Sequence, residues 1–378
     1  MRPIAFAALL LALGEAPARA QLPVSMASDL YPFPGAHESP GSAVSAGLAL
    51  ADRWLGEEPF ANPAASRRYV LTLTPAILHV SRQDLRADNR RYEETAAFFD
   101  AAGGWFGMER GRIGLALYAY QPVLRVEDNA FVRGPALVSA GSVKSNSEAR
   151  EVRGGLALSY GSSRIRAGVA GEWSRRSDHY ERNEQTGGPS SGTYTADFSG
   201  SAAGGQAGVR WSVGEGPGAT TVGASIRYVA ELEVKGEETI AILTGTTTNP
   251  ISARRQSGWE AGFSASYVVN DAFRALFAAG TRSAQEWENF GVTRGDGAEW
   301  KLAGEFHDRR DPWTVRFGLG QEQETGVAES RAGVVGLGLG MQFETTWIDL
   351  GIVHRSFKRT DHPASSDDRI LFGLTQKF

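Results

Sequence analysis

The chain has 378 residues, a formal net charge of −4, 46 glycines, 9 tryptophans and no cysteine. A chain without cysteine has no disulfide framework, and a mildly acidic balance argues against nucleic acid as a partner. At about 150 residues per domain the length would suggest two or more soluble domains. The pattern of apolar residues along the chain instead predicts one closed domain.

Residues 1–20 have the pattern of a secretory signal peptide. Arg2 is followed by an apolar stretch from Ile4 to Leu13, and Ala18-Arg19-Ala20 has small residues where a signal peptidase cuts. The apolar stretch is shorter than the roughly 18 residues that a membrane-spanning helix needs. We expect cleavage after Ala20 and export of the mature chain.

Residues 21–68 form a second region, which does not alternate. This region has a run of small residues at 41–51 and six prolines: Pro23, Pro32, Pro34, Pro40, Pro59 and Pro63. Two structures fit this composition. One is a disordered periplasmic leader, and the other is a hatch, or plug, that folds into the lumen of the domain that follows.

Residues 69–378 break into segments of about ten residues in which every second residue is apolar. This length and period are typical of tilted strands that cross a bilayer with one face toward lipid and the other toward water. The clearest segments are 152–160, 165–173, 222–234, 259–269, 313–319 and 337–343.

The connections between these segments alternate between two lengths. Tight turns are expected near 109–110, 161–162, 214–218, 270–271, 308–311 and 344–346. Long polar connections separate them, near 81–95, 122–150, 175–193, 235–257, 284–297, 321–331 and 356–368. Outer-membrane barrels have short periplasmic turns and long outer loops. The sequence therefore predicts an all-β fold, a transmembrane antiparallel barrel of about 14 strands, with a soluble β-sandwich or propeller as the alternative.

Aromatic residues fit this prediction. Tryptophans near predicted strand ends suit the interfacial girdles of a barrel: Trp105, Trp173, Trp211, Trp259, Trp313 and Trp347. The terminal Phe378 resembles the aromatic residue by which barrel-assembly machinery reads its clients. We therefore expect that machinery as a partner during biogenesis, and the outer membrane of a Gram-negative bacterium as the location.

Residues that could carry chemistry are few. The six histidines, His37, His79, His179, His307, His354 and His362, show no metal-ligand spacing. We expect neither a metal nor another cofactor. The adjacent pairs Asp178-His179 and His307-Asp308 are candidates for a surface hydrolase, but such pairs are commonly solvated loop residues. We therefore expect no enzymatic activity.

Arginines cluster in the predicted outer loops. They are Arg86, Arg90, Arg91, Arg175, Arg176, Arg254 and Arg255. Because a guanidinium binds phosphate oxygens through two hydrogen bonds, we expect these residues to contact lipopolysaccharide phosphates. Outer-membrane lipid would surround the rest of the barrel.

The stretch before the first strand resembles the N-terminal region of the FadL-like outer-membrane transporters. In that family a segment of small residues with an Ala-Asp pair leads to Asn-Pro-Ala and then into the first strand. Here those elements are Ala51-Asp52 and Asn62-Pro63-Ala64, and Tyr69 begins the strand. The resemblance implies a monomeric 14-stranded barrel, closed by a hatch, that passes long-chain fatty acids or other hydrophobic molecules.

The resemblance also suggests roles for particular residues. Asn62, Pro63 and Ala64 would carry gating, and Arg67 and Arg68 would meet either a substrate carboxylate or the periplasmic membrane surface. Substrate in this fold leaves sideways through an opening in the wall. Glycine weakens strand pairing, so the opening is expected near these glycines of the second and third strands: Gly103, Gly104, Gly107, Gly111 and Gly114.

Two other functions remain open from the sequence. A general porin for small polar solutes would have a water-filled lumen and would conduct ions. A structural or secretion-accessory barrel would hold a partner protein at the surface.

Overall fold

The structure, a computed structural model, describes residues 42–65, 70–87, 90–93, 96–133, 141–185, 192–242, 245–288, 292–307, 312–325, 330–359 and 365–378. The predicted signal peptide, residues 21–41 and Tyr69 lie outside this part of the chain. One short helix, α1 (Ala43–Gly47), precedes the strands. The strand segments are β1 (Val70–Ala87), β2 (Arg90–Glu93), β3 (Ala96–Arg110), β4 (Ile113–Arg133), β5 (Gly141–Gly161), β6 (Ile165–Gln185), β7 (Gly192–Val213), β8 (Thr220–Val229), β9 (Leu232–Ile242), β10 (Gly245–Arg255), β11 (Gly258–Asn270), β12 (Phe273–Arg282), β13 (Gln285–Glu288), β14 (Val292–Arg294), β15 (Asp296–His307), β16 (Trp313–Thr325), β17 (Ser330–Phe343), β18 (Thr346–Arg359) and β19 (Ser365–Lys377).

These segments form a closed antiparallel barrel of 14 strands. Five of the strands consist of two segments each: β2 with β3, β8 with β9, β10 with β11, β12 with β13, and β14 with β15. The barrel closes where β1 pairs with β19, from Val70–Lys377 to Gln83–Ser365. The predicted fold class and strand number are confirmed.

The two faces of the wall differ as the alternation predicts. On β6, Val169 and Trp173 are 58% and 50% exposed, whereas the intervening Ala170 and Glu172 are each 8% exposed. The outward face is a belt of large apolar side chains, which suits lipid. Within the described residues, no helix is long and apolar enough to cross a membrane.

The predicted girdle residue Trp105 faces the other way. Trp105 is 5% exposed and packs in an inward cluster with Phe60 and Val70. Its prediction as an interfacial residue was wrong because it lies on the lumen side of β3, in register with Thr72 of β1.

Several predicted outer loops are strands. β4 and β5 pair as far as Arg133–Gly141, β6 and β7 as far as Glu184–Gly192, and β9 and β10 as far as Ile242–Gly245. The sequence placed long connections there, and this was wrong. Beyond the lipid both faces of a strand meet water or polar groups, so the apolar alternation ends while backbone pairing continues.

Candidate functional site in the barrel lumen

Residues Ser42 to Ala65, here called the inner segment, lie inside the barrel. The helix α1 begins at Ser42, whose Oγ accepts a hydrogen bond from the Ser45 backbone N–H at 3.1 Å. Ala43, Ala46 and Ala49 then pack against Val334 of β17, Val353 of β18 and Leu371 of β19. Small residues in the segment allow this close approach to the wall.

Inward-facing glycines of the wall leave room for the inner segment. A Cβ atom on Gly208 would overlap the Asn62 side chain, and one on Gly168 would overlap the Pro63 carbonyl. Other glycines that contact the inner segment in the same way are Gly223, Gly262, Gly280, Gly318, Gly336 and Gly351. Part of the high glycine content therefore serves this contact.

Asn62 joins the inner segment to the wall and is fully buried. Its Nδ2 donates to the backbone oxygens of Trp54 at 2.7 Å, Val209 at 3.1 Å and Ala224 at 3.2 Å. Its Oδ1 accepts from the Ala64 N–H at 2.9 Å. One amide thus bonds to the segment itself and to two neighbouring strands, β7 and β8.

Ion pairs add further links between the inner segment and the wall. Arg53 lies 3.3 Å from Glu260 of β11 and 3.7 Å from Glu299 of β15. Glu57 lies 2.9 Å from Arg274 of β12. These pairs are largely shielded from solvent, so breaking one would leave an uncompensated charge.

Asp52 belongs to the inner segment and not to a membrane-spanning strand. Burial, and after it the nearby Glu57 carboxylate, raises its pKa to about 6. The hydrogen bond from Ser45 Oγ at 2.9 Å and the charge of Arg274 act in the opposite direction. The cleft beside Asp52 is also lined by Glu58, Thr74 and other residues near the ends of β1, β18 and β19.

The buried cations of the lumen are paired with carboxylates. Each of the nine buried arginine and lysine side chains that the structure describes lies within 4.0 Å of a carboxylate: Arg153, Arg166, Arg176, Arg227, Arg255, Arg282, Lys301, Arg316 and Arg355. Around Glu151, for example, stand Arg153 at 3.0 Å and Arg255 at 2.8 Å. Such pairing offsets the cost of burying these charges.

An aromatic cluster lies on the lumen side of β4. Phe60 of the inner segment stacks on Tyr120 with ring centroids 5.1 Å apart and meets Tyr118 edge-on at 6.4 Å. Tyr118 donates to Glu172 at 2.8 Å, and the Arg227 guanidinium lies 5.6 Å from the Tyr120 ring centre. The sequence pattern did not predict this cluster; its signal is the alternation of tyrosines at 118 and 120.

The wall next to this cluster is incompletely paired. The β3–β4 ladder runs from Arg110–Ile113 to Gly103–Tyr120, but β4 continues to Arg133. Among the described strands, β4 beyond Tyr120 pairs with β5 alone, after a register shift around Pro122. Proline has no N–H to donate, which accounts for the break. We call the space between residues 96–102 and 121–133 the β3–β4 gap.

The five glycines predicted near a wall opening lie at different depths. Gly103 pairs with Tyr120 at the end of the ladder, and Gly104 is the next residue below it. Gly107 and Gly114 lie within the paired part, and Gly111 lies in the turn with φ of +63°. Only the first two border the gap. Arg67 and Arg68 lie outside the described residues.

Adjacent charged residues that the sequence grouped together face opposite sides of the wall. Asp178 points inward and bonds to Arg176, whereas His179 points outward. Arg176 and Arg255 are buried, while Arg254 is exposed. These residues lie on strands and not in loops, so neighbours in sequence alternate between faces. The placement of Asp178 and His179 in an outer loop was therefore wrong, and the two side chains of this hydrolase candidate do not meet. Asp308 of the second pair lies outside the described residues.

Comparison with known proteins gives the same fold. No family model matches the sequence, and no curated protein matches it. Among solved structures, a FadL homologue of Pseudomonas aeruginosa is similar, with a TM-score of 0.64, 16% identity, and coverage of 91% of this chain and 100% of that one.

Two hydrocarbon transporters are also similar in structure. The toluene transporter TodX of Pseudomonas putida has a TM-score of 0.64 at 12% identity, covering 89% of this chain and 98% of that one. The monoaromatic hydrocarbon channel CymD has a TM-score of 0.60 at 13% identity, covering 89% and 97%. The chain therefore has the FadL-like barrel fold that the sequence resemblance predicts.

Proposed function

We propose that this protein is an outer-membrane channel for the passive uptake of hydrophobic small molecules. The β3–β4 gap beside the aromatic cluster of Phe60, Tyr118 and Tyr120 carries the proposal, because it offers a route from the lumen to lipid. Export by the predicted signal peptide, insertion by barrel-assembly machinery and a monomeric state belong to the same proposal.

The inner segment supports a sideways exit over an axial one. It crosses the lumen from α1 beside β17 to Pro63 beside Gly168 of β6. An apolar molecule gains nothing by leaving into the periplasm, but it regains about 25 cal/mol per Å² of apolar surface on entering lipid. In this mechanism Asn62, Pro63 and Ala64 hold the hatch in place, and passage needs no chemical step.

The pairing of the buried cations favours a neutral permeant. A carboxylate would have to compete with protein carboxylates such as Glu151 and Glu322 for the guanidinium groups. A neutral hydrocarbon does not have to compete with these carboxylates. The substrates named for TodX and CymD agree with this choice, so we place neutral hydrocarbons ahead of long-chain fatty acids.

Uptake measurements test the proposal. Cells that lack their own fatty-acid channel are given labelled toluene or labelled long-chain fatty acid, with and without this protein in the outer membrane. We expect toluene uptake to rise with the protein, and fatty-acid uptake to rise less. Large ion conductance in a planar bilayer would instead indicate a general porin, and co-purification with envelope proteins without uptake would indicate an accessory barrel.

A further inference from the structure

A histidine and an aspartate form a close pair on the outward face of β18 and β19. His354 and Asp368 lie directly opposite each other in the ladder, and Nδ1 of His354 is 2.6 Å from Oδ1 of Asp368. The side chains are 46% and 35% exposed. An aspartate at Nδ1 fixes the ring and leaves Nε2 available as a base.

A serine occupies the neighbouring position on the same face. Ser356 follows His354 by two residues of β18, which places it about 7 Å further along the strand on the same side. It is exposed, and directly across the ladder from it stands Gly333 of β17. A Cβ on Gly333 would meet nothing within 4 Å, so there is open space beside the serine.

This constellation lies at the outer edge of the apolar belt. The row of the wall immediately below it consists of Leu337, Ile352 and Ile370, paired across β17, β18 and β19. Leu337 and Ile352 are 57% and 40% exposed. The residues sit where the lipid-facing surface ends.

Cationic residues lie next to this constellation on the side away from the apolar belt. Arg331 and Lys358 pair across β17 and β18, one row beyond Ser356, and both are exposed. The order along the wall is therefore apolar residues, then histidine and serine, then positive charge. A glycerophospholipid has the same order, with acyl chains, ester groups and phosphate.

We propose that Ser356, His354 and Asp368 form a hydrolytic triad that cleaves the carboxylic ester bonds of glycerophospholipids at the outer surface of the membrane. Ser356 and His354 are the catalytic residues, and Asp368 is a positioning residue. This activity departs from the expectation that the chain is not an enzyme. The site lies outside the wall, so it does not rest on the proposed channel function.

The reaction needs only lipid and water. Ser356 Oγ attacks the ester carbonyl carbon while His354 Nε2 takes the hydroxyl proton. When the tetrahedral intermediate collapses, the bond to the glycerol oxygen breaks and His354 returns the proton to that oxygen, which releases the lysolipid. Water then attacks the acyl-serine with His354 as base, the free fatty acid leaves, and Ser356 regains its proton.

A second histidine–aspartate pair provides an internal control. His179 of β6 and Asp197 of β7 are also 2.6 Å apart and face outward. Ser177 also lies two residues from His179 on the same face, but the surface around this pair is polar and includes Lys235. His179 lies three outward positions beyond Trp173, the last large apolar residue on that face of β6. A headgroup-level ester would not reach this pair.

The test measures free fatty acid released by the purified full-length protein from phosphatidylcholine in mixed micelles, together with serine labelling by a fluorophosphonate probe. We expect Ser356→Ala and His354→Ala to abolish release, and Ser356→Ala to abolish labelling. Asp368→Asn should lower kcat by roughly 10²–10⁴-fold with little change in KM. His179→Ala should leave both readouts unchanged.

Folding and transport are checked on the same variants. Each should keep the heat-modifiable electrophoretic mobility of a folded barrel, and Ser356→Ala should take up toluene at the rate of the unmodified protein. Absence of both hydrolysis and labelling in the unmodified protein would overturn the proposal. Equal hydrolysis by Ser356→Ala would overturn it as well.

Discussion

The barrel wall is paired to different extents between β3 and β4 and between β5 and β6. Twenty residue pairs join β5 to β6, from Ser142–Gln185 to Gly161–Arg166. Only eight join β3 to β4, although both strands continue beyond the ladder. The difference lies in Pro122, which cannot donate to a ladder, and in the register shift between Tyr120 and Val123. A closed barrel of 14 strands can thus contain a neighbouring strand pair whose ladder is incomplete.

Cross-linking the gap should have the largest effect. Ala102 and Gln121 would be the next pair if the β3–β4 ladder continued, and the chain has no native cysteine to interfere. Cysteines at these two positions, joined by a short bifunctional thiol reagent, should reduce toluene uptake to the level of cells without the protein. The same reagent on Leu158→Cys/Val169→Cys, across the closed β5–β6 seam, should change nothing. Loss of uptake in both variants would count against a specific exit.

Displacing the inner segment should turn the protein into a leaky pore. The added side chain of Gly208→Val would overlap Asn62 and, as overpacking, cost about 1–3 kcal/mol. We expect ion conductance in a planar bilayer to rise clearly above that of the unmodified protein. Gly171→Val is the matched control, since a Cβ there meets nothing within 4 Å. Unchanged conductance in Gly208→Val would show that the segment does not close the lumen.

Removing the Asn62 amide should have a smaller effect. In Asn62→Ala the carbonyls of Trp54, Val209 and Ala224 each lose a donor, at a cost of about 1–3 kcal/mol. Uptake should fall while the barrel stays folded. Asn249→Ala, which removes an amide bonded to Glu238 near the outer end of the wall, should leave uptake unchanged. Unchanged uptake in Asn62→Ala would remove this residue from the mechanism.

The smallest expected effect concerns pH. Because burial raises the pKa of Asp52 to about 6, its ionised form weakens the docking of the inner segment above that pH. Docking should therefore strengthen as the pH falls from 7 to 5, by up to about tenfold in the docked-to-undocked ratio. Hydrogen exchange of residues 48–55, corrected for intrinsic pH dependence, measures this. Asp52→Asn should abolish the difference, and an equal difference in that variant would contradict the assignment.

Much of the fold could be predicted from sequence because lipid requires an apolar side chain at every second position of each strand. Trp173 and Val169 face lipid where the alternation places them. The prediction failed where this constraint ends, as at Asp178 and His179, which lie on a strand whose two faces are both polar. For that reason the strand ends beyond the lipid were predicted to be loops.

The site was less predictable than the fold. Asn62 could be singled out from a short motif, but its partners Val209 and Ala224 contribute backbone oxygens, which a sequence does not mark. The pairing of His354 with Asp368 depends on the register between β18 and β19. One sequence does not fix that register, because both residues lie beyond the last apolar row.

The route of the permeant is tested most directly by photolabelling. A neutral aromatic diazirine is added to outer membranes that contain the protein, and labelled residues are mapped by mass spectrometry after illumination. The sideways route predicts labels on Phe60, Tyr118 and Tyr120 and on residues 101–103 at the edge of the gap. Labels confined to the cleft beside Asp52 and Thr74, with none at the gap, would contradict it.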